Sequence, residues 1–382
     1  MNFSKLPKLT FWRVVLVIVL ASGFYSTLLR FTRGLGASTN LSDQFPWGIW
    51  IGFDVLCGVG MAAGGFTLAA IVYVFHIERF HPVLRPSILT AFLGYALVAV
   101  ALLFDLGKPY NIWHPLIMWN PHSVMFEVAW CVTLYLTVLA LEFSPAVLER
   151  FHLIQPLRIV KRATIPLVIM GVLLSTLHQS SLGSLYLIVP EKLHPYWYSP
   201  LLPIFFFVSA LSVGMAMVIF ESNLSARAFG REIEMPLLEV LGRGMAVVLA
   251  FYGLMKFQDL WRRGALVHLR EPSTETTLFL LEITLGLVLP LVMLLFRKVR
   301  EDRDGLFAAA VLVITGFLLN RLNVSITGME AASGVHYFPR WTEVSITLSV
   351  VGVGFLLFSL AVRYLNVMEP VGAKHAEAVV SR

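Results

Sequence analysis

The sequence predicts an all-α integral membrane protein of about ten transmembrane helices. Of its 382 residues, 58% are hydrophobic and only 14% are charged. Soluble domains carry about a quarter charged residues. The apolar residues also gather into ten runs, each near the roughly 20 residues that a helix needs to cross hydrocarbon. No single core hides that much apolar surface, so the bilayer acts as part of the solvent.

The runs are 11–31, 50–76, 87–106, 121–143, 162–188, 200–222, 236–258, 274–297, 305–326 and 342–365. Pro, Gly or charge marks the joints: His81-Pro82 with Arg85-Pro86, Gly107-Lys108-Pro109, and Arg303-Asp304-Gly305. Too little chain lies between spans for a soluble domain, so 1–365 reads as one polytopic domain, and the polar tail 366–382 reads as disordered and cytoplasmic. Lys5, Lys8 and Arg13 precede the first run. That run is long enough to span, and no small-residue cleavage site follows it, so it is expected to stay as an anchor.

Orientation follows from basic residues. With the N-terminus inside, the inner segments hold 18 Lys and Arg and the outer ones 9. Both termini are therefore expected in the cytoplasm. The outer loop after the seventh span breaks the bias with Lys256, Arg262, Arg263 and Arg270, as if facing a partner protein. The net charge of +6 is spread over short loops, which argues against nucleic acid as a partner. Membrane lipid is the expected surrounding.

The second span carries small residues, Gly58, Gly60, Ala62, Ala63, Gly64 and Gly65, which permit close helix approach. Pro166 and Pro290 are expected to bend their helices. The two cysteines, Cys57 and Cys131, are too few for an iron–sulfur cluster or a disulfide framework. No metal site is expected.

Charges inside a membrane are costly, so each is a functional candidate. Asp54, Asp105, Glu127, His178, Glu282 and Arg321 all fall in the outer part of their spans, whereas Glu221 and Arg243 fall toward the inner side. Scattered structural groups would not favour one depth. The densest polar stretch is His178-Gln179-Ser180-Ser181, with Ser184 beyond. Its bland reading is hydrogen-bond glue between helices. Its functional reading is a donor and proton relay for a carbonyl-bearing ligand such as a quinone, since imidazole exchanges protons near neutral pH. Glu127 and Glu282 read either as buried proton carriers or as ion-pair partners, Glu282 with Arg321. Asp105 either caps a helix end near Lys108 or lines the site. Asp54 follows an aromatic run, Phe45-Pro46-Trp47-Gly48-Ile49-Trp50, which reads first as an interface belt and otherwise as a lining for a quinone tail. Glu221 and Arg243 suit an inner proton entry, or simply snorkel. A bis-histidine haem needs two facing imidazoles, and His178 stands alone inside a span, so no haem is expected.

These residues also carry a resemblance. The run from Phe45 to Asp54, His81 to Pro86, Phe126-Glu127, Ala140 to Pro145, Leu177 to Leu185, Val218 to Glu221 and Tyr337 to Trp341 resemble the membrane subunits of uptake nickel–iron hydrogenases (the HybB type), within the broader NrfD/polysulphide-reductase membrane-subunit family. The resemblance implies a first four-helix bundle over 50–188, a second over 200–326, and peripheral helices 11–31 and 342–365. It implies a quinone, menaquinone or ubiquinone, bound in the first bundle near the periplasmic face of a bacterial inner membrane. A periplasmic ferredoxin-like iron–sulfur subunit would deliver electrons from the hydrogenase large and small subunits. Glu127, His178 and Glu221 match positions of quinone and proton chemistry, and Tyr95 and Asp105 match polar positions nearby. Asp54, Tyr95, Asp105, Gln179 and Ser181 make up the expected quinone-binding set, and Glu282, Arg243 and Arg321 are assigned to a proton path.

Overall fold

The computed structural model describes residues 10–230, 233–365 and 367. Within them lie ten helices long and apolar enough to span a membrane: α1 Phe11–Arg33, α2 Trp50–Val74, α3 Glu78–Asp105, α4 Val124–Arg150, α5 Thr164–Ile188, α6 Leu202–Phe229, α7 Met235–Arg262, α8 Thr274–Leu295, α9 Arg303–Glu330 and α10 Trp341–Tyr364. No strand occurs among the described residues. The chain is a multi-pass α-helical membrane protein. The expected tail 366–382 lies, apart from Val367, outside the described residues. We call the end that carries the α1–α2 connection the upper end and the opposite end the lower.

Two expected boundaries are corrected. His81-Pro82 and Arg85-Pro86 do not form a connector: they lie within α3, with Pro82 at its start and Pro86 inside it. The missing N–H of proline costs nothing in a first turn. Likewise α4 runs on through Pro145 to Arg150, not to 143. Pro166 also falls in a first turn, where no helical bond is lost. Pro290 lies two residues beyond a π-turn at Thr284–Val288, one of the identifiable causes of a bend.

Helix α2 packs on α3, α3 on α4, α4 on α5, and α5 returns to α2. Helices α6, α7, α8 and α9 close in the same way, α9 against α6. Helices α1 and α10 pair with each other, and α10 leans on α3. The two rings meet where α6 touches α2 and α5, and where α9 touches the start of α2. Accordingly α2 and α6 are the most enclosed spans, 78% and 72% buried, while α1 is 17% buried and faces outward.

The small residues of α2 explain its central place. A Cβ on Gly65 would strike the Ala91 side chain of α3, and one on Gly64 would press on the Gly214 carbonyl of α6. One on Gly60 would enter the Phe317 ring of α9. One helix thus approaches three neighbours, which is how small residues hold membrane helices together.

The aromatic run before α2 is not an interface belt. Phe45 is 2% exposed and stacks on Tyr337 at 5.0 Å, and Trp50 is 1% exposed. Trp50 Nε1 donates to the Glu343 carbonyl at 3.3 Å. The segment before α10 folds over this run, and Tyr337 Oη donates to Glu343 Oε1 at 2.6 Å. The sequence shows the amphipathic rings but not the distant segment that covers them.

Candidate functional site

Helix α5 reaches the interior of the first ring with three polar side chains within little more than one turn. Ser175, His178 and Gln179 are all buried, as is Ser181 beyond them. Positions three and four apart share a helical face, so Ser175, His178 and Gln179 look toward α2 and α3 together. His178 Nδ1 lies 3.0 Å from Tyr95 Oη of α3. Gln179 Nε2 donates to the Val59 carbonyl of α2 at 3.2 Å. Ser181 Oγ lies 2.5 Å from Glu127 Oε1 of α4, as well as 2.8 Å from the Leu177 carbonyl. Five predicted residues, Tyr95, Glu127, His178, Gln179 and Ser181, are thereby brought together from three helices.

Glu127 departs from its expectation. It is exposed at the surface of the chain rather than buried, one turn from the start of α4, where Ser123 caps the helix by accepting from the Phe126 amide. The site therefore has an enclosed half, His178 with Tyr95, and an open half, Glu127 with Ser181.

The enclosed half continues toward the lower end. The Tyr95 and Tyr135 rings meet edge to face at 4.7 Å. Tyr135, Glu142 and Glu149 follow at seven-residue spacing on α4, two turns or about 10 Å per step. Glu142 stands beside Tyr135 and Gly171. His178 Nε2, Ser175 Oγ, Tyr135 Oη and Glu142 Oε1 are all buried without a close hydrogen-bond partner among the described residues, Ser175 standing nearest the Tyr95 and Tyr135 hydroxyls. Buried polar atoms are rarely left so, and four in one helical ring mark a place built for water or ligand. At the lower end Glu149 is closed by Arg85 at 3.2 Å and Lys161 at 3.1 Å. Glu142 and Tyr135 were not singled out from the sequence. Their signal is the seven-residue spacing, and both lie inside the run 121–143; only Glu149 falls beyond it.

Glu221 of α6 faces Thr90 of α3, so it borders the first ring from the second, and its Oε1 too lacks a partner among the described residues. Arg243 does not reach this interior. It is exposed on α7 and pairs with Glu239 at 2.6 Å, near Arg300 at 3.4 Å from the same oxygen.

Asp54 and Asp105 stand apart from His178. Asp54 accepts from Thr347 Oγ1 of α10 at 2.9 Å. Asp105 lies near Arg30, whose guanidinium donates to the carbonyls of Phe104 and Leu106 at 2.7 Å each. The two acids belong to the junction of α1, α2, α3 and α10. Helix α2 turns its start toward α10, a direction that depth alone does not reveal.

The second ring holds its own polar centre. Glu282 accepts from Trp197 Nε1 at 2.8 Å, Asn320 Nδ2 at 2.7 Å and Asn323 Nδ2 at 2.9 Å. Arg321 is fully buried and donates to Asn320 Oδ1 at 2.7 Å, Ser209 Oγ at 2.8 Å and the Phe206 carbonyl at 3.1 Å. Its guanidinium lies 3.6 Å from the Phe206 ring centre and 4.4 Å from that of Phe317. The expected Glu282–Arg321 pair is thus joined through Asn320 rather than directly. A small cavity of about 30 Å³ adjoins it, bordered by Glu282, Tyr252, Ser209 and Ser212.

The basic outer loop is also corrected. Lys256 is 3% exposed inside α7 and donates to the Tyr196 carbonyl at 3.2 Å. Arg263 is held by Asp259 at 2.8 Å. Only Arg262 and Arg270 of the four remain exposed. Long helices carry such residues into the protein, and neighbours from 195–199 satisfy them.

With this geometry in hand, the family follows from sequence comparison. The family model "Polysulphide reductase, NrfD" matches residues 37–331, which takes in every helix of both rings. The chain belongs to the NrfD family. Among its NrfD relatives, the probable Ni/Fe-hydrogenase 2 b-type cytochrome subunit of Escherichia coli is 35% identical, covering 89% of this chain and 88% of that one. The menaquinone reductase integral membrane subunit of Nitratidesulfovibrio vulgaris is 26% identical, covering 95% and 93%. A further protein of the same organism is 43% identical, covering 88% and 89%. NrfD proteins of this kind are membrane subunits of quinone-interacting oxidoreductases, and the ring of α2–α5 carries the polar set described above.

Proposed function

We propose that this chain is the quinone-reactive membrane subunit of a nickel–iron hydrogenase, passing electrons from a partner iron–sulfur subunit to quinone. The observation that carries the proposal is the His178–Tyr95 pair with an unpartnered His178 Nε2, beside a Glu127 open to the surface. The likeness to a hydrogenase 2 subunit supports the hydrogenase, and that to a menaquinone reductase subunit supports the quinone.

These residues fit a quinone. A bound quinone supplies two carbonyl oxygens that take up two electrons and two protons. His178 Nε2 donates to such an oxygen, and Tyr95 fixes the ring from Nδ1. Glu127, with Ser181, holds a proton at the open side. Tyr135, Ser175 and Glu142 carry protons upward from the lower end, with Glu221 as their neighbour across the rings. Asp54 and Asp105 bound the upper rim rather than touch the ligand. Glu282 and Arg321 form a fixed charge centre in the second ring.

In this reading α2–α5 form the site-bearing bundle, α6–α9 the second, and α1 and α10 the periphery. The upper end faces the periplasm of a bacterial inner membrane, where a ferredoxin-like subunit docks beside the hydrogenase large and small subunits. Electron transfer favours short distances, and His178 lies in the upper half of α5. A bis-histidine haem does not fit, because among the described residues no second histidine faces His178. The name b-type cytochrome subunit borne by the E. coli relative makes this worth measuring.

The test uses the purified complex. Glu142→Gln is expected to slow quinone-linked hydrogen oxidation about 10-fold, less than the roughly 10²- to 10⁴-fold of a group that exchanges protons with substrate directly, while dye-linked oxidation by the partner stays unchanged. Full quinone-linked turnover in that variant would sink the path. An absorption spectrum is expected to lack a Soret band from this subunit; one haem per chain would overturn the haem assignment.

A further inference from the structure

The connection between α4 and α5 contains a nine-residue helix, Ile154–Arg162, that rests on both of them at the lower end. None of its residues is buried. Its inward side carries Leu157 and Val160, both half-buried, and Lys161, which reaches Glu149 at 3.1 Å. Its other side carries Arg158 and Arg162, both exposed, with no ion pair for either among the described residues. Four residues apart, they share one face about 6 Å from each other. Around them Phe151, Ile154 and Ile159 are each about two-thirds exposed, at 67%, 66% and 67%.

Bare apolar side chains and unpaired cations do not coexist at ease in water. At a bilayer boundary they do: a helix lying in the interface sinks its apolar residues to the acyl level and keeps cations among the headgroups. The position fits, since both flanking helices end here and enter the hydrocarbon. Glu149, the nearest acid, does not neutralise Arg158 or Arg162 because Arg85 and Lys161 already hold it. A guanidinium pair matches a phosphate with forked hydrogen bonds.

We propose that helix Ile154–Arg162 is a binding site for an anionic phospholipid, with Arg158 and Arg162 on the headgroup phosphate and Ile154, Ile159 and Phe151 in the acyl boundary. The three cations of this helix then divide their work: Lys161 closes Glu149 inside the protein, while the two arginines hold lipid outside. The site is independent of the quinone reading, because it uses none of the His178 residues.

The experiment places the full chain in nanodiscs of mixed phosphatidylglycerol and phosphatidylcholine and counts retained lipid by native mass spectrometry. The wild type is expected to retain phosphatidylglycerol preferentially. Each cation near an anionic surface is worth roughly a 5-fold change in binding, so R158Q/R162Q is expected to lose about 25-fold of that preference. R158K/R162K keeps the charge but not the fork and is expected to fall between the wild type and R158Q/R162Q, and Arg297→Gln, at an exposed arginine on another lower loop, leaves the preference unchanged. The proposal is overturned if the wild type retains both lipids equally, if R158Q/R162Q retains phosphatidylglycerol as the wild type does, or if inorganic phosphate alone displaces it.

Discussion

Replacing His178 by alanine in the assembled complex is expected to lower quinone-linked hydrogen oxidation by about 10²- to 10⁴-fold, the span typical of a lost acid–base group. The imidazole is fully buried, tied to Tyr95 through Nδ1, and free at Nε2 among the described residues. A ring held at one nitrogen and open at the other is oriented for transfer at the second. Dye-linked oxidation, which bypasses the membrane subunit, should not change. Because alanine leaves a cavity, His178→Gln provides the control: it fills the space and hydrogen-bonds but cannot shuttle a proton as imidazole does. Both variants are expected to be slow, and Tyr95→Phe to fall between them and the wild type. Should H178Q assemble and turn over quinone at the wild-type rate, the site assignment fails.

The second large effect concerns stability. Arg321→Ala is expected to destabilise the protein by about 3–5 kcal/mol, the cost of breaking a buried charge set from one side. The change removes three hydrogen bonds and the stacking between Phe206 and Phe317, and leaves the Glu282 carboxylate deprived of its linked cation. Arg321→Lys should not restore it, because an ammonium lacks the planar fork that reaches Asn320, Ser209 and Phe206 at once. The double variant E282Q/R321M removes both charges and should be milder than R321A alone. Thermal unfolding of the detergent-purified chain, followed by size exclusion, reads the order of the three. If R321A unfolded with the wild type, the second ring would not depend on this centre.

Sequence alone determined the ten spans, because membrane crossing is a property of local composition: twenty apolar residues must be helical whatever surrounds them. It also determined the depth of the polar residues, since depth is counted along one helix. For that reason Glu127 and the His178–Ser181 stretch fall at one level by counting alone, whereas Tyr95 enters only through the family resemblance. What only the tertiary structure decided is azimuth, the direction each helix turns its side chains. Asp54 shares the upper half with His178 yet turns to Thr347 on α10, and Arg243 turns outward to Glu239. Lys256 was counted as loop charge and is buried against Tyr196. The aromatic run Phe45–Trp50 became core because Tyr337 and Glu343, some 290 residues away in sequence, fold over it. Glu142 shows both limits at once: its seven-residue spacing from Tyr135, inside the run 121–143, is present in the sequence, but its approach to Gly171 of α5 is decided only by the packing of α4 on α5. Rotation about a helix axis is set by which neighbours pack on it, and that information is spread over the whole chain.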